Sequence, residues 1–183
     1  MFIEVWADGA SCGNSKGPGG WCSLVKVDGE VKHTAYGGDT KTTNNVMELQ
    51  AVIGGLESVI VMLSLRRSVS GHQIKIISDS NYIIGAFNEG WIVKWISNGW
   101  RKSVHSNILR PNSDVWNKLV GVVSYLETMG NEIQWQHVNG HVGIPENEYC
   151  DKIAKQEKQK QKLILAGPIY GGDCNEQIAN YSN

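Results

Sequence analysis

The sequence lacks the features that most directly assign a protein to a compartment or a partner. Its 17 basic and 18 acidic residues give a net charge near −1, so no overall field attracts nucleic acid. A nucleic-acid partner must therefore be bound by a local patch. The four cysteines form no CxxC pair, which favours reduced thiols and a cytosolic protein.

A long apolar run and a phosphate-binding loop are also missing. The apolar residues 52–65 are interrupted by Gly54, Gly55, Glu57 and Ser58, which argues against a membrane span. Met1 leads into a predicted strand without a basic and apolar leader. The glycine-rich residues 17–20 lack the Gly-Lys-Ser/Thr ending of a P-loop, and we interpret them as the entry to a hairpin. We therefore expect no membrane partner.

The composition is that of an ordinary soluble globular protein. A chain of 183 residues with 41% hydrophobic residues is long enough for one domain with a substantial core. We assign residues 1–162 to that domain. Residues 163–183 have no clear periodicity and form a C-terminal tail of unknown role.

The predicted elements alternate between strand and helix patterns. Strands are predicted from Phe2 to Asp8 and at residues 21–27, 31–36, 74–77 and 133–138, with an Asp-Gly hairpin turn at residues 28–29. Helices begin near residues 43, 82, 113 and 145, and the first extends into a loop over residues 58–72. Glycines 54 and 55 indicate close packing of that helix on the sheet. The order predicts an α/β layer fold with a mixed sheet.

Four acidic residues occupy positions that this fold can bring together. Asp8 ends the first strand, where Gly9 would let the chain turn away, and Asp79 follows the fourth strand. Glu48 lies beside the apolar stripe of the first long helix, and Asp151 lies in the second turn of the last helix. Such a cluster cannot be fully ionised without cations, and its oxygen ligands suit Mg²⁺ or Mn²⁺. Taken separately, these acids could be turn caps, a solvated helix residue and a lysine partner.

Four segments in this order resemble type 1 ribonuclease H over nearly all of residues 2–157. They are Asp8-Gly9 with Gly17-Pro18-Gly19-Gly20; residues 42–49, TTNNVMEL; residues 79–82, DSNY; and residues 140–151, GHVGIPENEYCD. The resemblance implies a ribonuclease H-like fold: a five-stranded mixed sheet in the order 3-2-1-4-5, with its first three strands antiparallel and helices on its sides. It also implies an endonuclease that hydrolyses the RNA strand of RNA/DNA hybrids and leaves 5′-phosphate and 3′-hydroxyl ends.

The resemblance further implies roles for individual residues. The positions that match Asp8, Glu48, Asp79 and Asp151 bind two Mg²⁺ ions in the family, with Mn²⁺ as a possible substitute. His141 matches a mobile-loop histidine that assists proton transfer or product departure. Contacts with the minor groove or the DNA phosphates of the hybrid are implied for Asn14, Thr43, Asn44, Asn45 and Asn81. The family's basic handle matches residues 91–102, which contain Trp91, Lys94, Trp95, Trp100, Arg101 and Lys102. We expect a cytoplasmic monomer.

The chain departs from the family pattern at three places. Asn81 stands where Gln is common, and the distance from Glu48 to Asp79 is longer, which predicts an insertion near residues 58–71 away from the site. The handle carries Ile-Ser-Asn at residues 96–98, where the family is often rich in Lys and Arg. This difference concerns the strength of hybrid binding rather than catalysis.

Several other interpretations remain open at this point. His137, His141 and Cys150 suggest zinc, but a fourth ligand is not evident. The three tryptophans of the handle are either core residues or an exposed platform. The lysines of residues 152–162 are either a solvated helix face or a nucleic-acid contact. Another two-metal nuclease or a transposase-like enzyme of the same fold, or a catalytically silent hybrid-binding module, are the rival functions.

Overall fold

The computed structural model describes residues 1–13 and 16–167. The strands are β1 (Phe2–Ser11), β2 (Gly17–Val27), β3 (Glu30–Thr42), β4 (Gln73–Ser78) and β5 (Glu132–His137). The helices are α1 (Asn44–Leu65), α2 (Asn81–Asn88), α3 (Trp91–Ser97), α4 (Ser113–Thr128) and α5 (Pro145–Ala166). The sheet has the order β3-β2-β1-β4-β5, with β1 to β3 antiparallel and with β4 and β5 parallel to β1. The predicted fold class is therefore confirmed.

The first three strands are longer than the sequence predicts. β1 does not end at Asp8, because Asp8 pairs with Cys22 and the ladder continues to Ser11 opposite Gly19. β3 likewise continues through Gly37 and Gly38, beyond its predicted end at residue 36. These glycines lie inside paired strands, where backbone hydrogen bonds on the neighbouring strand outweigh the low strand propensity of Gly.

The core has two parts, on opposite faces of the sheet. Ile3 and Val5 of β1 belong to the larger cluster, which includes buried residues of α1 and α4. Trp6, the residue after Val5, points to the other face and belongs to a smaller cluster with Cys150 of α5. Helix α1 is long and apolar enough to span a membrane by length and composition, but 56% of that apolar window is buried in the protein. It therefore packs as a core helix of a globular domain.

Glycines bring both long helices close to the sheet. A Cβ atom at Gly55 would lie 2.4 Å from Val5 Cγ1, and one at Gly54 would lie 2.6 Å from the Trp21 ring. The predicted close packing of these two glycines is confirmed. On the other face, a Cβ atom at Gly20 would lie 2.4 Å from both the Ala154 carbonyl oxygen and the Lys158 backbone nitrogen. Helix α5 therefore lies against the backbone of β2.

The tryptophan-rich segment is anchored in the core rather than exposed as a platform. Trp95 is only 8% exposed and packs edge to face on Trp116 of α4, with ring centroids 5.3 Å apart. Trp100 packs partly buried against the same core, and Arg110 lies over the Trp95 ring. The structure gives no support to the predicted substrate contact of Trp95, because its ring is buried in the core. Trp91 is the exposed member of the three.

The predicted insertion lies at the end of the sheet opposite the acids. Its residues extend α1 to Leu65 and then form a loop that leads into Gln73, where the Gly71 N–H donates to the Gly130 carbonyl. Asp79 follows the far end of β4. Helix α5 continues to Ala166, beyond the predicted domain boundary at residue 162, and residues 168–183 of the tail lie outside the described residues.

Candidate active site

The four predicted carboxylates line one cavity of about 400 Å³ at the edge of the sheet where β4 ends. Asp8 comes from β1, Glu48 from the second turn of α1, Asp79 from the residue after β4 and Asp151 from α5. The backbone of residues 9–11, Asn44 and His141 complete the lining together with Lys155 and Lys158. Four elements distant in sequence thus deliver acids to one place.

Asp8 and Glu48 are neighbours because Gly9 has no side chain. A Cβ atom on Gly9 would lie 2.3 Å from the Glu48 backbone nitrogen and 2.5 Å from the Met47 carbonyl carbon. Any side chain there would push the first turns of α1 away from β1. Gly9 therefore permits a close helix approach, and it does not make the turn that the sequence suggested.

Two polar side chains hold the Glu48 carboxylate. The Ser80 hydroxyl donates to Oε2, and Asn44 Nδ2 donates to Oε1 at 2.5 Å. Asn44 also accepts a hydrogen bond from the Ser11 backbone N–H, with 3.2 Å between N and Oδ1. Because Asn44 begins α1 and Ser11 ends β1, this residue fixes both the helix start and the carboxylate.

Asp79 and Asp151 also have partners within the protein. Asn147 Nδ2 lies 3.4 Å from Asp79 Oδ2, and a Cβ atom on Gly140 would lie 2.5 Å from the same oxygen. The Lys155 ammonium donates to Asp151 Oδ2 at 2.6 Å, one helical turn later. The lysine partner that the sequence left open for Asp151 is therefore present.

The cluster is electrostatically strained. The pKa of Asp8 is raised from 3.8 to about 7, first by burial and then by the negative charges of Asp79, Asp151 and Glu48, although the hydrogen bond from the Gly9 N–H lowers it. Burial also raises the pKa of Glu48, although the hydrogen bonds from Ser80 and Asn44 oppose the change. Cations would relieve this repulsion.

The site fits hard divalent ions by the chemistry of its donors. All four acids offer carboxylate oxygens, the ligands that Mg²⁺ prefers. Within residues 1–13 and 16–167, no three Cys, His, Asp or Glu side chains form a ready-made metal cluster. The alternative zinc site at His137, His141 and Cys150 is not supported, because Cys150 is fully buried against Trp6.

Comparison with known proteins decides the family. The RNase H family model matches residues 2–159. The chain belongs to the ribonuclease H family. A Ribonuclease H from Caldanaerobacter subterraneus subsp. tengcongensis is 38% identical over 159 residues, which cover 87% of this chain and 92% of that protein. The enzyme class is accordingly that of a ribonuclease H, a nuclease and hydrolase.

Solved structures agree with this assignment. LC9-RNase H1, a type 1 RNase H with the type 2 active-site motif, superposes with a TM-score of 0.69 at 25% identity, over 87% of this chain and 73% of that one. LC11-RNase H1, solved in complex with an RNA/DNA hybrid, superposes with a TM-score of 0.63 at 15% identity, over 88% of this chain and 98% of that one. The second likeness supports the fold alone. Ribonucleases H act with divalent metal ions.

The histidine expected of a ribonuclease H lies at the mouth of the cavity. His141 is exposed, lies in the loop between β5 and α5, and has a left-handed backbone φ of 58° between two glycines, Gly140 and Gly143. Non-glycine residues rarely adopt this conformation, so the loop holds His141 in an unusual orientation.

The other predicted contact residues form two groups around the site. Thr43 is the N-cap residue of α1, although its side chain makes no capping hydrogen bond, and Asn45 is exposed beside it. Asn81 is exposed at the start of α2. Asn14 lies outside the described residues. The second group, around α3, presents Lys94, Arg101 and Lys102 as exposed cations that do not line the acid cavity.

Sequence reasoning missed the residues that orient the acids. Ser80, Asn147 and Lys155 each contact one carboxylate. Lys155 could have been found from its spacing of four residues after Asp151, which places both on one helix face. Ser80 and Asn147 carry no comparable signal, because their contacts join elements that are far apart in sequence.

Proposed function

We propose that the chain is an endonuclease that hydrolyses the RNA strand of RNA/DNA hybrids with two Mg²⁺ ions, leaving 5′-phosphate and 3′-hydroxyl ends. The observation that carries the proposal is the single cavity in which Asp8, Glu48, Asp79 and Asp151 meet beside His141. The ribonuclease H relatives and the hybrid in the LC11-RNase H1 complex support the choice of substrate.

The four carboxylates would hold the metal ions. Asp8 is the most buried of the four, and the charges of the other three each raise its pKa, so it is the acid that would gain most from bound cations. When bound, such ions activate the attacking water and stabilise the departing oxygen. Mn²⁺ offers a similar preference for oxygen ligands and is a possible substitute.

Protein groups around the metal site orient the reacting parts. Ser80 and Asn44 fix the Glu48 carboxylate, and Asn147 restrains Asp79. The backbone of residues 9–11 lines the cavity and offers polar groups to the 2′-hydroxyls that distinguish RNA from DNA. His141 moves a proton at the reacting oxygens or helps the product to leave.

Contacts further from the cavity bind the hybrid. We assign minor-groove contacts to Asn45 and Asn44, and phosphate contacts to Thr43 and Asn81, which are accessible at the first residues of two helices. Asn14 keeps the role implied by the sequence. The α3 segment contributes its exposed groups, namely Trp91, Lys94, Arg101 and Lys102, while Trp100 supports them from the core side.

We also expect a monomer in the cytoplasm, with no membrane partner. The three cysteines among the described residues, Cys12, Cys22 and Cys150, are free thiols, which agrees with a reducing compartment. Sedimentation of the purified protein over a range of concentrations tests the oligomeric state.

Cleavage of matched substrates tests the proposed function. An RNA/DNA hybrid, an RNA duplex and a DNA duplex of one sequence are incubated with and without Mg²⁺, and mass spectrometry of the products identifies their ends. We expect Mg²⁺-dependent cleavage of the RNA strand of the hybrid alone. Cleavage of either pure duplex at a similar rate would favour another nuclease of this fold. Binding of hybrid without cleavage would indicate a silent binding module.

A further inference from the structure

Two lysines of α5 face the acid cavity. Lys155 and Lys158 follow Asp151 by four and seven residues and line the same cavity as the four carboxylates. At 100° per residue, both lie within about 40° of Asp151 around the helix, and Lys158 is about 10 Å further along its axis. Part of the lysine-rich segment that the sequence left unassigned is therefore directed at the site.

Lys158 differs from its neighbours because it has no carboxylate partner. Lys155 is paired with Asp151 at 2.6 Å, and Lys160 is paired with Glu157 at 2.5 Å. In the part of the chain that the structure describes, no Asp or Glu oxygen lies within 4.0 Å of the Lys158 ammonium. Lys158 is nevertheless partly buried, so it is not simply a solvated surface cation.

The backbone position of Lys158 is fixed by the sheet. Because Gly20 has no side chain, the Lys158 backbone can approach it closely. A Cβ atom on Gly20 would lie only 2.4 Å from the Lys158 backbone nitrogen. Helix α5 cannot therefore shift along β2 without losing this contact. The ammonium group is presented to the cavity from a rigid base, which lowers the entropy lost when it binds a ligand.

We propose that Lys158 binds a phosphate of the cleaved strand next to the one held at the carboxylates. The inference rests on the proposed function. Two divalent ions would balance the four carboxylate charges. With both ions bound, the positive charge of Lys158 would remain available to an anion that enters the site. The phosphate chain of the nucleic acid supplies such anions. This contact lies on the α5 side of the site and is separate from the cations of the α3 segment.

Salt dependence of hybrid binding tests the contact. Binding is measured in the Asp8→Asn background, which prevents cleavage, for Lys158→Gln, Lys158→Arg and the control Lys152→Gln, an exposed lysine of α5 outside the cavity. One lost phosphate contact should reduce the log–log salt slope by about 0.7–0.9. The affinity advantage of the parent over Lys158→Gln should then shrink about three-fold between 50 and 200 mM salt. Lys158→Arg should retain the parent slope.

Kinetics separate this inference from the proposed function. In the otherwise unchanged enzyme, Lys158→Gln should raise KM more than it lowers the single-turnover rate at saturating enzyme. If the parent protein does not cleave hybrid, the proposed function fails. If the parent cleaves but Lys158→Gln and Lys152→Gln have equal slopes and KM values, only the contact is refuted. A lower melting temperature with an unchanged slope would also refute it, since Lys158 would then merely offset the carboxylates.

Uncharged phosphate analogues identify the strand. Single phosphates of the cleaved strand and of the DNA strand are replaced in turn, and each hybrid is bound to the parent and to Lys158→Gln. At the contacted phosphate, the loss from the analogue and the loss from the mutation should not add, because both remove the same interaction. Additive losses at every position of the cleaved strand, with non-additivity in the DNA strand, would overturn the strand assignment.

Discussion

Replacing Asp8 by Asn should abolish cleavage and at the same time stabilise the metal-free protein. The carboxylate is buried, and its pKa is raised from 3.8 to about 7 by burial and by the neighbouring acids. At 1.4 kcal/mol per pKa unit, this corresponds to a destabilisation of at most about 4 kcal/mol when Asp8 is ionised. Asn removes the charge while its Oδ1 can still accept the hydrogen bond from the Gly9 N–H.

The stability gain should depend on pH in a defined direction. Below pH 4, Asp8 is protonated in the folded and the unfolded protein, so the variant gains little. Between pH 4 and 7, the unfolded chain releases the proton that the folded protein retains, so the stability of the parent falls as pH rises. Above pH 7, the buried charge is present and the difference in unfolding free energy is greatest. Urea unfolding of the parent and of Asp8→Asn from pH 4.5 to 8, with a chelator present, measures this difference in unfolding free energy.

Controls make this result interpretable. Glu127→Gln removes an exposed carboxylate of α4 and should change the unfolding free energy by less than about 0.5 kcal/mol at every pH. Excess Mg²⁺ should stabilise the parent by mass action and affect Asp8→Asn less. An Asp8→Asn protein that is less stable than its parent at pH 8, or that retains Mg²⁺-dependent cleavage, would refute the reasoning.

Three further predictions concern the surroundings of the acids. His141→Ala should lower turnover by about 10²–10⁴-fold yet leave measurable cleavage and metal binding in calorimetry; complete loss of both would assign His141 to the metal site. Replacing residues 96–98 by lysines should tighten hybrid binding at low salt and steepen the log–log salt slope by up to about three, with little change in the single-turnover rate. An unchanged slope would show that α3 does not bind the phosphate backbone of the hybrid. Gly9→Ala should lower the free energy of unfolding by about 1–3 kcal/mol and reduce cleavage, because the added Cβ atom meets the α1 backbone. The control Gly121→Ala adds its Cβ atom in open space on α4 and should not destabilise the protein. Equal effects of the two changes in urea unfolding would contradict this role of Gly9.

The places of Asp79 and Glu48 on their elements could be predicted because each follows a recognisable local pattern, whereas the predicted strand end at Asp8 was wrong. The strand before Asp79 and the apolar stripe beside Glu48 fix where these residues lie on their elements, and parallel strands bring their carboxyl ends to one edge. The motif around His141 likewise placed it near the acids. The sheet order came from the resemblance, and the strand pairing confirms it.

What could not be predicted depends on contacts between distant elements. Gly9 and Gly37 are turn residues by local propensity, and only the neighbouring strands show that they continue a ladder. Trp95 looks amphipathic beside Lys94, and its burial follows from Trp116, which lies 21 residues later. The hydrogen bond from Ser80 to Glu48 joins α1 to the end of β4, and neither local sequence contains a sign of it.

The glycines at the helix–sheet contacts have a consequence for mutational tolerance. Gly9 and Gly20 each leave space that the backbone of a helix fills, so even a methyl group is too large there. Charged surface residues, in contrast, can be exchanged with little effect on folding. In a saturation mutagenesis experiment selected for folded protein alone, these small residues should be the least replaceable positions near the site, ahead of the acids themselves. The evolutionary freedom to retune this centre is therefore limited by the spacing of main chains more than by its charged groups.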